Sequence, residues 1–590
     1  MRSIVYGLII LLTGVLVGCE DLSGVENPNQ PNREQVLSSV EDVEGIAGDT
    51  FVNYWEGTMW CDGSMMYSTM ADAHSASWGN WGMNDMSSEP RIAWTNTSGY
   101  PRSGATEEPW FDQFLGISSA IDVLQNTEQG EVPSARAFAH FTQGLMFGDL
   151  AARFDQAFDV SPDVDFDAVV SGESDIPLRS YKEIRGRALE RFDSAIQIAQ
   201  NNDFTIEASQ DWIFGKTVTS QNLIQLSKSM KAKILATSAR TPEERQNLPW
   251  GDIKTFVENG MEANGYESPF GETSYPGSPK GFQPVGDDGG TQEFDCQKTF
   301  ANSTTWARAD YKTIGPADTS GRYEEWLDTP QSQIASERTP FQTETPDARI
   351  QGDGALTDGK YMTADPSAAD QSYLAFPADR GVNHYSDYIP TRFAGFGGSS
   401  FGGSQSGPMT HTTKAEMDLL KAEAILHSLN GNASGVSGTK SDVAQLINNT
   451  RVQNGELSPA RASDPVGSMA DAPDPLRPDD ASGGDATLWS MLKYEHTIET
   501  MQTSAGLNYY TKRGWGDLPE GTPLHMPIPG DELNTLGLQQ YTFGGVDGRC
   551  SAGNPVDCIQ DTGGGSSANS TALDPGAVRG GASAGASVKK

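Results

Sequence analysis

The chain has 590 residues, enough to bury one or two large cores. Hydrophobic residues make up 36% of it and Gly (64) and Pro (33) are abundant, so loops should be extensive, while 12 Trp, 17 Tyr and 23 Phe supply core material and argue against disorder. Asp and Glu (79) outnumber Lys and Arg (41); a net charge of −38 repels nucleic acid and anionic headgroups, and leaves a neutral or cationic ligand, or solubility in salty water.

The first 18 residues read as a targeting segment. Arg2 is a short positive start, and Ile4 to Val17 is an apolar run too short for an ordinary spanning helix. The run closes on Leu16-Val17-Gly18-Cys19, which resembles a bacterial lipobox. Cys19 is then the lipidated N-terminus of the mature protein, and residues 19–33 are a tether. Glu20 and Asp21 resemble an export cue to the outer membrane or cell surface. The remaining cysteines, Cys61, Cys296, Cys550 and Cys558, lack zinc-site spacing and are expected to form structural cross-links in an oxidising space. Four cysteines allow three connectivities; pairing Cys550 with Cys558 would staple one Gly-rich loop and leave Cys61 with Cys296.

Apolar periodicity predicts a succession of helices. The first spans Glu34 to Trp60, and a long loop from Cys61 to Pro109 follows. Phe114, Ile117, Ile121 and Leu124 form the stripe of a helix over Trp110 to Asn126. Ser134 is placed as the cap of the next, with Phe138, Phe141, Leu145 and Ala152 on one face. Ser180 caps a helix striped by Ile184, Ala188, Phe192, Ala195 and Ala199; Leu223, Leu226, Met230 and Ile234 stripe another. Thr241 and Glu244 have capping-box spacing, with Pro242 at the first helical position, and Trp250 to Met261 completes a helical pair. Gly265 to Ser406 dissolves into Gly, Pro, Asp, Ser and aromatics, and loops of that length are usually functional. Helices resume at Lys414 to Ser428 and Ser441 to Val452. Residues 563–590 are Gly, Ser and Ala with little apolar mass, and are expected to be loosely attached.

The most distinctive stretch runs from Leu488 to Leu533. A helix carrying Glu495 and Glu499 is followed by Tyr509-Tyr510, by Arg513-Gly514-Trp515-Gly516, and by a strap rich in Pro and Gly that ends in Pro-Gly-Asp-Glu-Leu, a turn into a short last helix. A buried arginine with a carboxylate partner would pin the helix end, so Glu495, Arg513 and Trp515 are read as structural. This order resembles the C-terminal signature of the SusD/RagB family, surface lipoproteins that capture nutrients, often glycans, for a TonB-dependent outer-membrane transporter. The lipobox, the phrase from Asn27 to Gly48, Lys231-Ala232-Lys233, Thr345 to Arg349 and the turn at Asn448, Arg451 and Gly455 are similar to the same family.

The resemblance implies a mainly α-helical fold of tetratricopeptide-like hairpins with a loop-rich ligand face. It would cover residues 34–545, including the insert 265–406, with 546–590 a cysteine-containing loop and flexible tail. It implies capture of an oligosaccharide or other nutrient, delivery to a SusC-like transporter, and no catalysis; a peptide-binding member of the family and a surface glycan hydrolase are the alternatives. Sugars lie against aromatic rings with polar groups at their edges, which nominates Trp78, Asn80, Trp81, Arg91 and Trp94 in the first loop and Trp306, Tyr311, Tyr323 and Trp326 in the central block. No cofactor or metal is expected: the run Asp159, Asp163, Asp165, Asp167 lacks the glycine and distal glutamate of a calcium loop. There is no HExxH and no P-loop, and the GxSxG at Gly581 lies in the low-complexity tail without the strand and helix a nucleophile needs.

Overall fold

The computed structural model describes residues 39–59, 61–76, 80–128, 131–160, 164, 176–213, 216–261, 307–329, 341–365, 384, 386–391, 411–477, 484–504, 506–556 and 558. Cys19, Trp78, Cys296, Trp306 and the Gly/Ser/Ala-rich tail lie outside them, as do the side chains of Cys61 and Asn80.

Helices dominate. In chain order they are α1 (Val40–Met59), α2 (Cys61–Met70), α3 (Met83–Met86), α4 (Gly104–Gln125), α5 (Pro133–Arg153), α6 (Tyr181–Asn201), α7 (Ser220–Thr237), α8 (Pro242–Gln246), α9 (Trp250–Glu258), α10 (Tyr311–Ile314), α11 (Arg322–Leu327), α12 (Lys414–Leu429), α13 (Lys440–Arg451), α14 (Leu488–Glu499), α15 (Leu507–Trp515) and α16 (Gly530–Thr535). The described strands are two or three residues long and pair antiparallel. β1 (His74–Ala76) joins β6 (Ala307–Ala309), β2 (Gln156–Phe158) joins β3 (Leu178–Ser180), β4 (Thr205–Ile206) joins β5 (Val218–Thr219), and β7 (Met362–Ala364) joins β8 (Tyr388–Pro390). None of the described helices is long and apolar enough to cross a membrane.

Each long helix packs on the next: α1 on α4, α4 on α5, α5 on α6, α6 on α7, α7 on α9, α9 on α12, and α12 on α13 and α14. The predicted stripes are what makes this possible, since Ile184, Ala188, Phe192, Ala195 and Ala199 of α6 are all buried. Close approach also needs absent side chains. A Cβ on Gly144 of α5 would lie 2.8 Å from the Phe192 ring, and one on Gly148 would lie 2.1 Å from the Ile234 side chain. The first core cluster runs from α1 through α7 into the strap 518–533, and a second joins α7 and α9 to α12, α13 and α14.

The caps follow the sequence closely. Ser180 with Glu183, Thr219 with Asn222, Thr439 with Asp442 and Thr487 with Ser490 form reciprocal capping boxes, and the Thr241 side chain accepts from the Glu244 N–H. Ser134 does not cap. α5 begins one residue earlier at Pro133, whose missing N–H costs nothing in a first turn. The expected loop from Cys61 to Pro109 contains α2, α3 and the first residues of α4. Met65, Met66, Tyr67 and Met70 bury α2, a face without the branched apolar stripe by which helices are recognised.

Two buried arginine systems tie the helices to the C-terminal strap. Arg513 donates to the carbonyls of Ala152, Thr237, Ala239 and Leu524 at 2.6–3.2 Å, taking up orphan acceptors at the ends of α5 and α7. Its partners are thus carbonyls, not the expected carboxylate. Trp515 has the carboxylate instead: its Nε1–H donates to Glu423, which also receives a fork from Arg245 at 2.6 and 2.7 Å. Glu495 belongs to the second system, around Arg349. That guanidinium meets Asp347, Glu495 and Glu499 at 2.6–2.9 Å, all four groups buried. Tyr494 donates to Asp347, Thr450 to Glu495, and Tyr361 to Glu499. Burial raises the pKa of Glu499 despite Arg349, as expected where one cation faces three carboxylates.

Removing that cation should be costly. Arg349→Met leaves three buried acids without their partner, and urea unfolding at neutral pH should show a loss of about 3–5 kcal/mol. A loss within about 1 kcal/mol, the size of a solvated surface pair, would show that the cluster does not hold α14 to the central block.

Candidate functional site

The loop after α2 and the central block are where ligand-contacting side chains were expected, and a buried charge cluster joins the two. Asp72, just before β1, receives Arg91 at 2.6 Å and Lys312 at 2.8 Å; Lys312 also meets Glu89 at 2.7 Å. His384 completes the set, with Nδ1 3.1 Å from Asp310 and Nε2 3.4 Å from Glu89. Asp310 caps α10 through the Lys312 N–H, and Thr313 donates to the Asp72 carbonyl. Antiparallel pairing of β1 with β6 sets Asp72 and Asp310 close together. Arg91 reaches further, donating from Nε to Thr522 of the strap.

Electrostatics decide what this cluster can be. Burial alone would raise the Asp72 carboxyl, but Arg91 and Lys312 outweigh it and hold the pKa down at about 2. Burial would neutralise His384, yet Asp310 and Glu89 beside it raise its pKa to about 9. The imidazole is therefore a cation at neutral pH, and three positive groups face three carboxylates. The oxygen and nitrogen atoms of Asp72, Asp310 and His384 lie near enough to one another to share a metal ion. Arg91 and Lys312 already occupy the Asp72 oxygens, which makes the arrangement a neutral ionic staple.

The central aromatics pack onto this staple. Tyr311 stacks on Phe341 with centroids 4.2 Å apart, Tyr323 stacks on Trp326 at 6.1 Å, and Trp326 sets its ring edge-to-face with His384 at 4.9 Å. Tyr311, Tyr323 and Trp326 are 0%, 8% and 4% exposed, so their faces are spent on one another. The first loop behaves in the same way. Arg91 is one of the staple's three cations, and Trp94 is buried edge-on against Tyr100 at 5.2 Å. Trp81 differs, being partly exposed. It has left-handed backbone (φ 50°, ψ 30°), followed by Gly82 at φ 72°, where a Cβ would lie 2.9 Å from the Trp94 ring. A bulky residue in that conformation costs on the order of 1–3 kcal/mol and persists only where its surroundings impose it.

The structure thus brings Arg91 together with Tyr311, Tyr323 and Trp326 through the staple, and sets Trp94 behind the turn that presents Trp81. Sequence reasoning did not identify Asp72, Glu89, Asp310, Lys312 or His384. Each is an ordinary charged residue in a chain full of them, and no spacing links positions 72, 310 and 384.

Concavities indent the described residues at several places. A groove of about 630 Å³ is lined by Thr319, Glu344, Gln351, Gly354, Glu456 and Ser458, beside the segment that carries Arg349. Asp318 ties its rim to the aromatic cluster by accepting from the Glu344 and Tyr323 N–H groups. A second groove, about 610 Å³, lies between α9, α12 and α13; Lys254 and Lys421 pair there with Glu258, and Lys414 with Asp418. The third, lined in part by Tyr54, Asp149, Lys233, His411 and Ser504, has room for about 50 Å³, enough for water but not for a substrate. Ser504 contacts Lys233 there, a pairing known from nucleophilic serines. The Lys233 Nζ, however, also donates to Glu416, Thr412 and the His411 carbonyl, which makes it a structural donor. Asp159, first of the acidic run, is engaged by Arg187 at 2.8 and 2.9 Å.

The charge on His384 has a measurable consequence. Its pKa is raised on folding, so its stabilisation is full below about pH 6.5, where the unfolded chain's imidazole is also protonated. The stabilisation is lost as pH rises through about 9. Melting temperatures from roughly pH 6 to pH 10 should fall more steeply for the natural chain than for His384→Gln. Superimposable profiles would mean that the ring is neutral in the folded protein.

No protein-family profile matches the chain and no curated protein matches it in sequence. Its architecture does have solved counterparts. A SusD-like protein from Bacteroides fragilis is similar over 86% of this chain and 98% of its own, with TM-score 0.51 and 14% identity. A SusD superfamily protein from Bacteroides vulgatus is similar over 84% of this chain and 97% of its own (TM-score 0.51, 13% identity). A SusD homolog from Parabacteroides distasonis is similar over 80% and 83% (TM-score 0.50, 14% identity). At such low identity the correspondence is one of architecture, and it coincides with the helix order and packing described above: the chain has the SusD-like fold.

Proposed function

We propose that the protein captures an extracellular oligosaccharide and hands it to a SusC-like TonB-dependent transporter, held at the outer-membrane surface by lipid on Cys19. The observation that carries this reading is Trp81. The residue is partly exposed, on strained backbone, while the neighbouring Trp94 is buried. An aromatic ring kept at the surface at conformational cost suits the apolar C–H face of a sugar. The polar groove lined by Glu344, Gln351 and Ser458 offers acceptors and donors for hydroxyl groups. The charge of −38 favours a neutral glycan over a polyanionic one. The sequence signature from Leu488 to Leu533 and the SusD-like fold support a capture role without covalent chemistry.

Incubation with a panel of polysaccharides separates the readings. Bound, intact polymer supports capture; released sugars indicate a hydrolase; retention of peptides with no glycan retained favours the peptide-binding alternative. Trp81→Gly should weaken glycan binding about tenfold, about 1.4 kcal/mol, as expected for loss of one stacking ring. The melting temperature should change little, because glycine adopts the left-handed conformation freely and this offsets packing lost with the indole. Unaltered affinity would remove Trp81 from the site. Co-isolation of the tagged chain with an outer-membrane β-barrel tests the transporter half.

A further inference from the structure

Cys550 and Cys558 form a disulfide that closes the loop beyond the strap. Its two sulfurs are in different surroundings. Cys550 is fully buried, whereas Cys558 is partly exposed. His525 lies against the buried one, with Nε2 3.1 Å from the Cys550 sulfur. The other ring nitrogen, Nδ1, faces Arg240 Nε at 3.1 Å. An arginine N–H only donates, so Nδ1 accepts and the proton of the neutral imidazole sits on Nε2, shared between the Cys550 sulfur and the Cys558 backbone carbonyl. Burial keeps that ring neutral, and the charges of Arg240, Arg513 and Arg549 reinforce it.

Two of these arginines are held by carbonyls. Arg240 donates from its side chain to Ser238, Ala151 and Phe154, and Arg513 to Ala152, Thr237, Ala239 and Leu524. Glu244 meets Arg240 through the peptide N–H, and the remaining neighbours of the His525 ring include Tyr181 and Phe543. The buried sulfur therefore sits beside an N–H donor in a field of positive charge. The donor and the charges favour a thiolate and oppose the cost that burial places on it.

We propose that the Cys550–Cys558 disulfide is a thiol–disulfide exchange site, entered at Cys558 by an external dithiol and arranged to release Cys550 as a thiolate. The attacking thiolate forms a bond to the Cys558 sulfur while the Cys550–Cys558 bond breaks. The electron pair passes to the Cys550 sulfur, which accepts the His525 N–H. The dithiol's second thiolate then attacks its own sulfur in the mixed disulfide and releases Cys558, which takes a proton from water. The protein gains two electrons and the dithiol is oxidised to its disulfide. The leaving group's stability sets both the rate and the equilibrium of such an exchange. Backbone bonds from Leu524 to Cys550, from Ala552 to Thr522 and from Gly521 to Ala552 do not involve the sulfurs, so the loop's hold on the strap outlasts the reaction.

The test uses the full chain in dithiothreitol redox buffers, with alkylation and mass spectrometry of the peptides containing Cys550 and Cys558. His525→Leu should require buffers about tenfold more reducing for half-reduction, and His525→Gln, which keeps an N–H donor, should recover part of the difference. Arg549→Gln, at a partly exposed position, should shift the midpoint in the same direction if His525→Leu fails to fold. In Cys558→Ser, the pH profile for alkylation of the remaining Cys550 thiol should have its midpoint at least about one unit below the usual 8.5. Equal midpoints for the natural chain, His525→Leu and Arg549→Gln would overturn the proposal, as would a Cys550 profile centred at or above about 8.5.

Discussion

The structure depends on how the ends of its helices are satisfied. A helix leaves its last carbonyls without partners, and burying such an end in a protein core is costly unless something donates to it. Arg513 does this for α5 and α7 together, and Arg240 and Arg245 take up further carbonyls at the same two ends. A guanidinium suits this task because its rigid fork reaches several acceptors and its charge complements the negative end of each helix dipole. The strap then lies where it does because Leu524 offers the fourth carbonyl. Helix hairpins, C-terminal helix and strap are thereby joined at one side chain.

Away from that point, charge is used to attach loops. Among the described residues of the central block the helices are short, and the block is held to the helical body by the cluster around Arg349 and by the staple of Asp72, Glu89, Arg91, Asp310, Lys312 and His384. Buried ionic groups are an uneconomical source of stability compared with apolar packing, but they specify register: each site admits one arrangement of partners. Where the polypeptide lacks periodic apolar faces, that specificity replaces what helix packing provides elsewhere. The aromatic cluster of Tyr311, Tyr323, Trp326 and Phe341 then closes over the staple.

How much of this was legible in the sequence varied with the range of the interaction. Local rules read well: the α6 stripe, the Ser180 and Thr241 caps and the helix that opens at Leu488 follow from periodicity and capping chemistry. α2 was missed because methionine fills its buried face. Pairings at long range were not legible. Glu495 reads as a partner for Arg513 because both lie in one stretch, whereas it pairs with Arg349, 146 positions away. Exposure of aromatics was equally hidden. Trp81 and Trp94 are the same residue type in the same loop, and only the fold makes one a surface ring and the other a packing element.

The carbonyls that Arg513 binds at Ala152 and Thr237 lie 361 and 276 positions before it. Whatever the order of folding, the ends of α5 and α7 stay unsealed until the segment carrying Arg513 docks on them. The amino-terminal hairpins are consequently an unfinished body until α15 docks, and a chain interrupted before Arg513 lacks that seal. Docking of α15 and the strap is thereby a checkpoint on whether the helical body matures.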